Sequence, residues 1–177
     1  MVSSTVIRVL SAATHFNGQF LKVPLQPSLG QDVGVGLTKS QGDASLFNVP
    51  QAFYGYYPGF EAIGGPNGPS GDDQISVAYV DTLAHAQPIQ FAGQIQLDLQ
   101  PFSDAVLCNL INAPGSDKFD RLVCNTPPSA PFHYGGFWAI CGYTNNQPGD
   151  LFLYDHNFYG NEPPPGCTAV ELQVIGA

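Results

Sequence analysis

The chain has 177 residues, of which only five are Lys or Arg and 14 are Asp or Glu, so its net charge is −9. So few cations cannot neutralise a run of phosphates, which excludes nucleic acid as a partner, and they supply almost no attraction to an anionic membrane surface. No apolar run approaches the roughly 20 residues of a membrane-spanning helix.

Alternation of apolar and polar residues with a period of two predicts short strands in the first third of the chain. Gly and Pro residues between the alternating segments mark turns. The predicted strands are Val6–Leu10, Gln19–Val23, Val33–Leu37 and Ser45–Val49.

The middle third is less regular. The Pro- and Gly-rich segment Tyr54–Gly71 is too irregular for a core and is expected at the surface. Four further strands are predicted at Gln74–Val80, Ile89–Phe91, Gln94–Leu99 and Ala105–Ile111.

The last third repeats the pattern of the first. Its predicted strands are Phe119–Cys124, Gly136–Cys141, Leu151–Asp155 and Thr168–Ile175. Apolar spacings of three and four are missing, so almost no helix is expected. Three groups of four strands predict one all-β domain over residues 1–177 with the strand spacing of a β-trefoil, about 12 short strands in all. A two-sheet β-sandwich or jelly roll is the alternative.

The four cysteines, Cys108, Cys124, Cys141 and Cys167, all lie in the second half of the chain and form no C-x-x-C pair. Three disulfide pairings are possible, and four buried thiols are the alternative. The sequential pairing, Cys108 with Cys124 and Cys141 with Cys167, would close two Pro- and Gly-containing loops. Chain entropy gives about 3 and about 3.5 kcal/mol for these closures.

An aromatic-rich loop at residues 53–60 is the most unusual candidate surface. Its rings offer flat apolar faces with polar tips, which suits stacking on a sugar ring or packing in a protein interface. The same rings could instead pin the loop to the core. The aromatic candidates for ligand binding are Tyr54, Tyr56, Tyr57, Phe60 and the single tryptophan, Trp138.

A second candidate cluster runs from Tyr154 to Tyr159 and presents Asp155, His156 and Asn157 between aromatic rings. An acid, an imidazole and an amide together suit a sugar or weak metal ligation. The simpler interpretation is a strand end followed by an Asx-type turn.

No motif for a metal, cofactor or catalytic site is present. The histidines are scattered and form no His-x-His or His-Glu-x-x-His pair, and no nucleophile elbow, phosphate loop or dinucleotide fingerprint occurs. Neither a metal nor a cofactor is therefore expected. Glu171 alternates with Leu172 and is expected on the polar face of a strand.

The segment from Trp138 onward combines Trp138-x-x-Cys141, an apolar aromatic strand and a closing Cys167. This pattern resembles the C-terminal end of small secreted proteins of filamentous ascomycetes, the phialide-associated cell-wall protein group. The resemblance implies a fungal extracellular or wall-associated protein without known catalytic residues and with a Cys141–Cys167 disulfide. The early cysteines usual in that group are missing here, so the resemblance implies nothing about Cys108 and Cys124.

The sequence therefore predicts a secreted, non-enzymatic protein that binds glycans in a lectin-like way or belongs to a cell wall. Neutral polar residues replace the missing charge, as is common outside cells; the charged share is 11 % against about 25 % in ordinary domains. The start of the chain, Met1–Leu10, does not read as a signal peptide, so a mature form with an added Met is expected, and an intracellular protein is the alternative.

The sequence leaves two alternatives open. A protein-directed module, such as a protease inhibitor or effector, would use a long loop as a wedge and take a protein target in place of a carbohydrate. An enzyme would use a metal or acid–base site near Asp155 and His156.

Overall fold

A computed structural model describes residues 5–23, 33–49, 61–63, 76–81, 84–92, 103–126, 137–144 and 149–176. These residues form fifteen strands, one short 3₁₀ turn at Gln41–Asp43 and one short helix, α1, at His156–Tyr159. The strands are β1 Thr5–Leu10, β2 Phe20–Lys22, β3 Val33–Gly34, β4 Gly36–Thr38, β5 Leu46–Asn48, β6 Glu61–Ile63, β7 Ser76–Asp81, β8 Ala86–Pro88, β9 Gln90–Ala92, β10 Ser103–Ala105, β11 Leu107–Asn112, β12 Phe119–Asn125, β13 Phe137–Cys141, β14 Asp150–Tyr154 and β15 Cys167–Gly176.

All of the described strand pairs are antiparallel, and together they form one curled sheet. The main path runs in the order β3, β9, β7, β6, β5, β1, β15, β13, β14, β8. The all-β prediction is confirmed. The β-trefoil is a finer statement that these pairs do not establish, and it stays a prediction.

The long strand β15 lies at the centre of this arrangement. Its first part pairs with β13, up to Val170 opposite Trp138. From Glu171 onward it pairs with β1, where Glu171 lies opposite Leu10. It also pairs with β12 through Leu172 and Gln173. In the sheet order β15 lies between β1 and β13, so these two strands pair with its opposite edges, and the edge that pairs with β13 up to Val170 pairs with β12 from Leu172.

One apolar core joins residues from both ends of the described chain. Burial of these side chains is the main favourable term in folding. Its fully buried members include Ile7, Val9, Phe16, Leu21, Phe47, Ile89, Phe91, Val106, Leu122, Cys124, Leu153 and Leu172.

Both disulfides follow the sequential pairing, Cys108 with Cys124 and Cys141 with Cys167. In each case the two cysteines lie directly opposite each other on neighbouring antiparallel strands. Opposed side chains on one face of such a pair approach closely enough for a covalent bridge. All four cysteines are paired, so the alternative of buried thiols is wrong.

Most predicted strands appear with ends shifted by a residue or two. Val33–Leu37 is divided into β3 and β4. The expectation that the whole of Tyr54–Gly71 is a surface loop is wrong at one point, because β6 lies inside it and Ala62 is 6 % exposed. A strand of three residues is too short to show alternation. The predicted strand Gln94–Leu99 lies outside the described residues.

Candidate functional site

The end of β14 leads directly into α1, and Asp155 makes that turn. Its Oδ1 atom accepts a hydrogen bond from the backbone N–H of Asn157 at 2.8 Å. This is the Asx-type turn that the sequence suggested, and it serves as the N-cap of α1. Its other oxygen, Oδ2, lies 3.0 Å from Nδ1 of His85. Asp155 is only 6 % exposed, and its buried carboxylate is therefore satisfied on both oxygens.

Two stacked pairs of Phe and His hold α1 against its neighbours. His156 of α1 stacks on Phe137 of β13 with ring centroids 4.5 Å apart and planes 18° apart. Phe158 of α1 stacks on His85 at 4.0 Å and 6°. Nδ1 of His156 also lies 2.7 Å from the carbonyl oxygen of Gly160. The two stacks thus hold the helix at His156 and at Phe158, and His156 orients the ring of Phe137.

Tyr154 lies beneath this cluster and is 1 % exposed. Its ring contacts Phe137 with centroids 5.8 Å apart and Tyr159 at 6.1 Å. Burial raises the pKa of the Tyr154 hydroxyl, because the phenolate would lose its hydration. The phenol therefore stays a neutral group in this part of the protein.

Two cavities adjoin at Phe137 and Trp138. The first has a volume of about 470 Å³, and its polar lining includes Ser11, Asn17 and Asn161. The second has a volume of about 430 Å³ and is lined on its polar side by Asn112, Asn125 and Arg121. Both volumes fall within the range of small-molecule sites.

The position of the cavities follows from the strand pairing. Phe137, Trp138, Val170 and Glu171 line both of them. Val170 is the last residue of β15 that pairs with β13, and Glu171 is the first that pairs with β1 on the opposite edge. Both cavities therefore lie where the pairing of β15 with β13 ends and its pairing with β1 begins, and Phe137 stands between them with 40 % of its surface exposed.

A hydrogen-bonded network of polar groups borders the second cavity. Nε of Arg121 donates to Oε2 of Glu171 at 2.9 Å, and its Nη1 donates to Oδ1 of Asp120. The other oxygen of Asp120 accepts from the side-chain amide of Gln173 at 2.7 Å, and Gln173 in turn accepts from Arg8. The guanidinium of Arg121 is thus neutralised by two carboxylates, and it holds Glu171 at the boundary of the cavities.

The structure brings some of the predicted site residues together. His156 lies against Phe137, Asp155 and Asn157 form the cap of α1, and Asn157 is exposed. Trp138 lines both cavities but is 3 % exposed, and its Nε1 donates to the carbonyl oxygen of Leu122 at 2.9 Å. Trp138 therefore forms part of the floor and offers no free ring face. The predicted ligand residues Tyr54, Tyr56, Tyr57 and Phe60 lie outside the described residues.

Three residues of the site are not evident from the sequence as ligand candidates. Phe137 precedes Trp138, so strand alternation would place the two rings on opposite faces. Glu171 is expected on a polar face and is exposed, but its place between two cavities depends on which strands pair with β15 at this point. No local signal connects His85 to Asp155, because 70 residues separate them.

The predicted alternative of an enzyme site near Asp155 and His156 stays a prediction. The imidazole bonded to Asp155 is that of His85, and His156 bonds the carbonyl of Gly160 instead. Within the described ranges, no group of three or more His, Cys, Asp or Glu side chains is arranged to hold a metal ion. None of the helices in that part of the chain is long and apolar enough to cross a membrane.

The chain matches no protein-family model, no curated protein and no solved structure.

Proposed function

We propose that this protein is a secreted, non-enzymatic carbohydrate-binding protein, acting as a lectin or as a component of a cell wall, and that it binds sugar at Phe137. The observation that carries the proposal is the exposed ring of Phe137, held between two cavities that carry amide, carboxylate and guanidinium groups. Sugar rings need both elements, because their C–H faces stack on aromatic rings while their hydroxyls require hydrogen-bond partners.

The support for a sugar over other small ligands comes from the lining. Asn17, Asn161, Asn112 and Asn125 provide neutral amides that both donate and accept hydrogen bonds. A hydroxyl also donates and accepts, so each amide can pair with it in either direction. The pre-oriented ring of Phe137 reduces the entropy lost on binding, because His156 and Tyr154 already hold it.

Secretion and a fungal wall origin belong to the same proposal. Two disulfides favour an oxidising compartment, since cytosolic thiols are kept reduced. The resemblance of the segment from Trp138 onward to phialide-associated cell-wall proteins supports the same assignment, and the Cys141–Cys167 bridge agrees with it. The partner expected on this proposal is a carbohydrate, without cofactor, nucleic acid or membrane.

The test compares Phe137→Ala with Tyr143→Ala. Both aromatic residues are 40 % exposed, and each stacks on a histidine with centroids 4.5 Å apart, but Tyr143 lines neither cavity. The purified proteins are applied to a glycan array and to insoluble chitin, cellulose, β-glucan and mannan. We expect saturable, sugar-competed binding by the unaltered protein, a loss of about tenfold or more in Phe137→Ala, and little change in Tyr143→Ala.

Equal binding by the two variants would remove Phe137 from the site. An absence of binding to every glycan and polysaccharide by the unaltered protein would refute the carbohydrate proposal. Far-UV circular dichroism and urea unfolding of both variants establish that each is folded.

A protein-directed module remains the second candidate, because one observation favours it. Ile111 and Phe119 are 46 % and 49 % exposed near the end of the β11–β12 hairpin, where Asn112 lies opposite Phe119. Exposed large apolar side chains at a hairpin end suit insertion into a partner. Capture of a protein that persists in the presence of competing sugar, and is lost in Phe119→Ser, would favour this function.

For the architecture, we retain the β-trefoil with the sandwich or jelly roll as its alternative. The pairing of β1 with β15, from Thr5 opposite Gly176 to Leu10 opposite Glu171, supports a closed arrangement of strands. A crystal structure that includes residues 93–102 and 127–136 would distinguish these folds.

A further inference from the structure

Glu171 is a charged residue that the two cavities of the proposed binding site share. It lines both cavities, and its side chain is 59 % exposed. Oε2 accepts from Nε of Arg121, and Oε1 has no hydrogen bond to the described residues. The carboxylate is therefore both oriented by the protein and available to a ligand.

The charges around the site are unfavourable to an anionic ligand. Apart from Glu171 and Arg121, no charged residue of the described ranges lines either cavity. Arg121 is already paired with Glu171 and Asp120, so it has little attraction left for a sulfate or a uronate. The net charge of −9 adds a long-range repulsion.

A carboxylate is an acceptor only, and it forms its strongest hydrogen bonds with donors such as hydroxyls. A neutral sugar chain offers a hydroxyl donor at nearly every ring carbon. A sulfated or carboxylated chain replaces some of these donors with groups that have no proton to donate at neutral pH and that repel Glu171. The same residue thus provides attraction toward one class of ligand and repulsion toward the other.

We infer that Glu171 is a specificity-determining residue, which makes the site selective for an uncharged, hydroxyl-rich sugar chain over an anionic one. Arg121 is a positioning residue in this scheme, because it acts by holding the carboxylate at the boundary of the two cavities. The inference rests on the proposed carbohydrate function and specifies its ligand class.

The experiment uses three proteins: the unaltered chain, Glu171→Gln and Glu162→Gln. The substitution keeps the size of the side chain and removes one negative charge in each variant, and Glu162 is an exposed residue that lines neither cavity. Affinity electrophoresis at about 50 mM and about 200 mM salt is run with soluble β-glucan, mannan and dextran, each beside its sulfated derivative.

The unaltered protein should be retarded by at least one neutral polysaccharide and about tenfold more weakly by the sulfated form. In Glu171→Gln, affinity for the neutral polysaccharide should fall about tenfold, since a hydrogen bond to a charged group is replaced by one to a neutral amide. Affinity for the sulfated form should rise, because Arg121 loses one of its two carboxylate partners. Glu162→Gln should behave like the unaltered protein.

Equal retardation of the unaltered protein by neutral and sulfated polysaccharide would overturn the inference. So would a Glu171→Gln variant that does not differ from Glu162→Gln. These results leave carbohydrate binding intact and so differ from the result that refutes the proposed function, which is that the unaltered protein binds none of the polysaccharides.

Discussion

The Nδ1 atom of His85 lies 3.0 Å from Oδ2 of Asp155, a residue 70 positions later in the chain. The backbone joins the same two residues, since the N–H of Asp155 donates to the carbonyl oxygen of His85 at 2.8 Å. With the cap bond to Asn157, Asp155 connects the residues before β8 with the start of α1. Because α1 carries His156, this connection also determines where Phe137 is held.

The first prediction concerns Asp155. In Asp155→Ala the cap of α1 and the bond to His85 are both lost, and we expect the free energy of unfolding to fall by about 1–2 kcal/mol or more. Asp155→Asn keeps one acceptor oxygen, so its free energy of unfolding should lie between those of the unaltered protein and of Asp155→Ala. Urea unfolding monitored by tryptophan fluorescence measures the change.

The matched control is Glu162→Ala, which removes an equal charge from an exposed position. Its effect should stay within about 0.5 kcal/mol. If Asp155→Ala were no more destabilising than this control, the assigned role of Asp155 would be wrong.

The second prediction compares two glycines at the β13–β14 connection. Gly142 has φ of +69°, and an added Cβ there would have no atom within 4 Å. At Gly149, with φ of +76°, a Cβ would lie 2.8 Å from Cγ2 of Ile140 and 2.9 Å from the carbonyl oxygen of Cys141. Gly142→Ala should cost about 1–2 kcal/mol from the left-handed backbone alone. Gly149→Ala should cost about 1–3 kcal/mol more, because the buried Ile140 must move.

Thermal unfolding of the two variants measures this difference directly. Equal stabilities would contradict the close approach of Gly149 to β13. The comparison needs no ligand, and it is therefore independent of the proposed function.

The third prediction concerns alkaline stability. Burial raises the pKa of Tyr154 above its ordinary value of 10.0, so the folded protein retains the phenolic proton longer than the unfolded chain does. The associated stability is fully present below pH 10.0 and is lost as the pH rises through the folded pKa. Tyr154→Phe cannot titrate, so its stability should fall less between about pH 8 and about pH 11.

Urea unfolding at the two pH values gives the slope of the unfolding free energy against pH for each protein. Tyr143→Phe, at an exposed position, is the control for loss of a hydroxyl. Parallel slopes for Tyr154→Phe and the unaltered protein would show that the hydroxyl of Tyr154 does not contribute. A flatter slope in Tyr143→Phe alone would contradict the assignment of the effect to Tyr154.

Much of the fold can be predicted from the sequence. Alternation along Val6–Leu10 and Thr168–Ile175 correctly predicts the strands β1 and β15. The order of the cysteines suggests the pairing that the structure contains, although the sequence leaves other pairings open. These features are local, or depend on short loops, and a period of two is visible in the residues themselves.

Less of the candidate site can be predicted from the sequence. The Asx-type turn at Asp155 can be predicted, because the turn involves only residues 155–157. The partner of Asp155 cannot be predicted from the sequence. The two stacks that hold α1 cannot be predicted either, because these stacks join α1 to residues of β13 and of the segment before β8. The sequence favours Trp138 as a contact residue, but Trp138 is buried and Phe137 beside it is exposed.

The sequence by itself determined that the chain is built of β-strands, that it is acidic and poor in cations, and that its cysteines can close two short loops. These properties follow from composition and from side-chain alternation, which act over a few residues. Only the tertiary structure decided that Phe137 and Glu171 line both cavities and that Arg121 joins them at the second. This arrangement depends on where along β15 the pairing with β13 ends and the pairing with β1 begins, and strand partners are chosen by burial of the whole apolar core rather than by any local pattern.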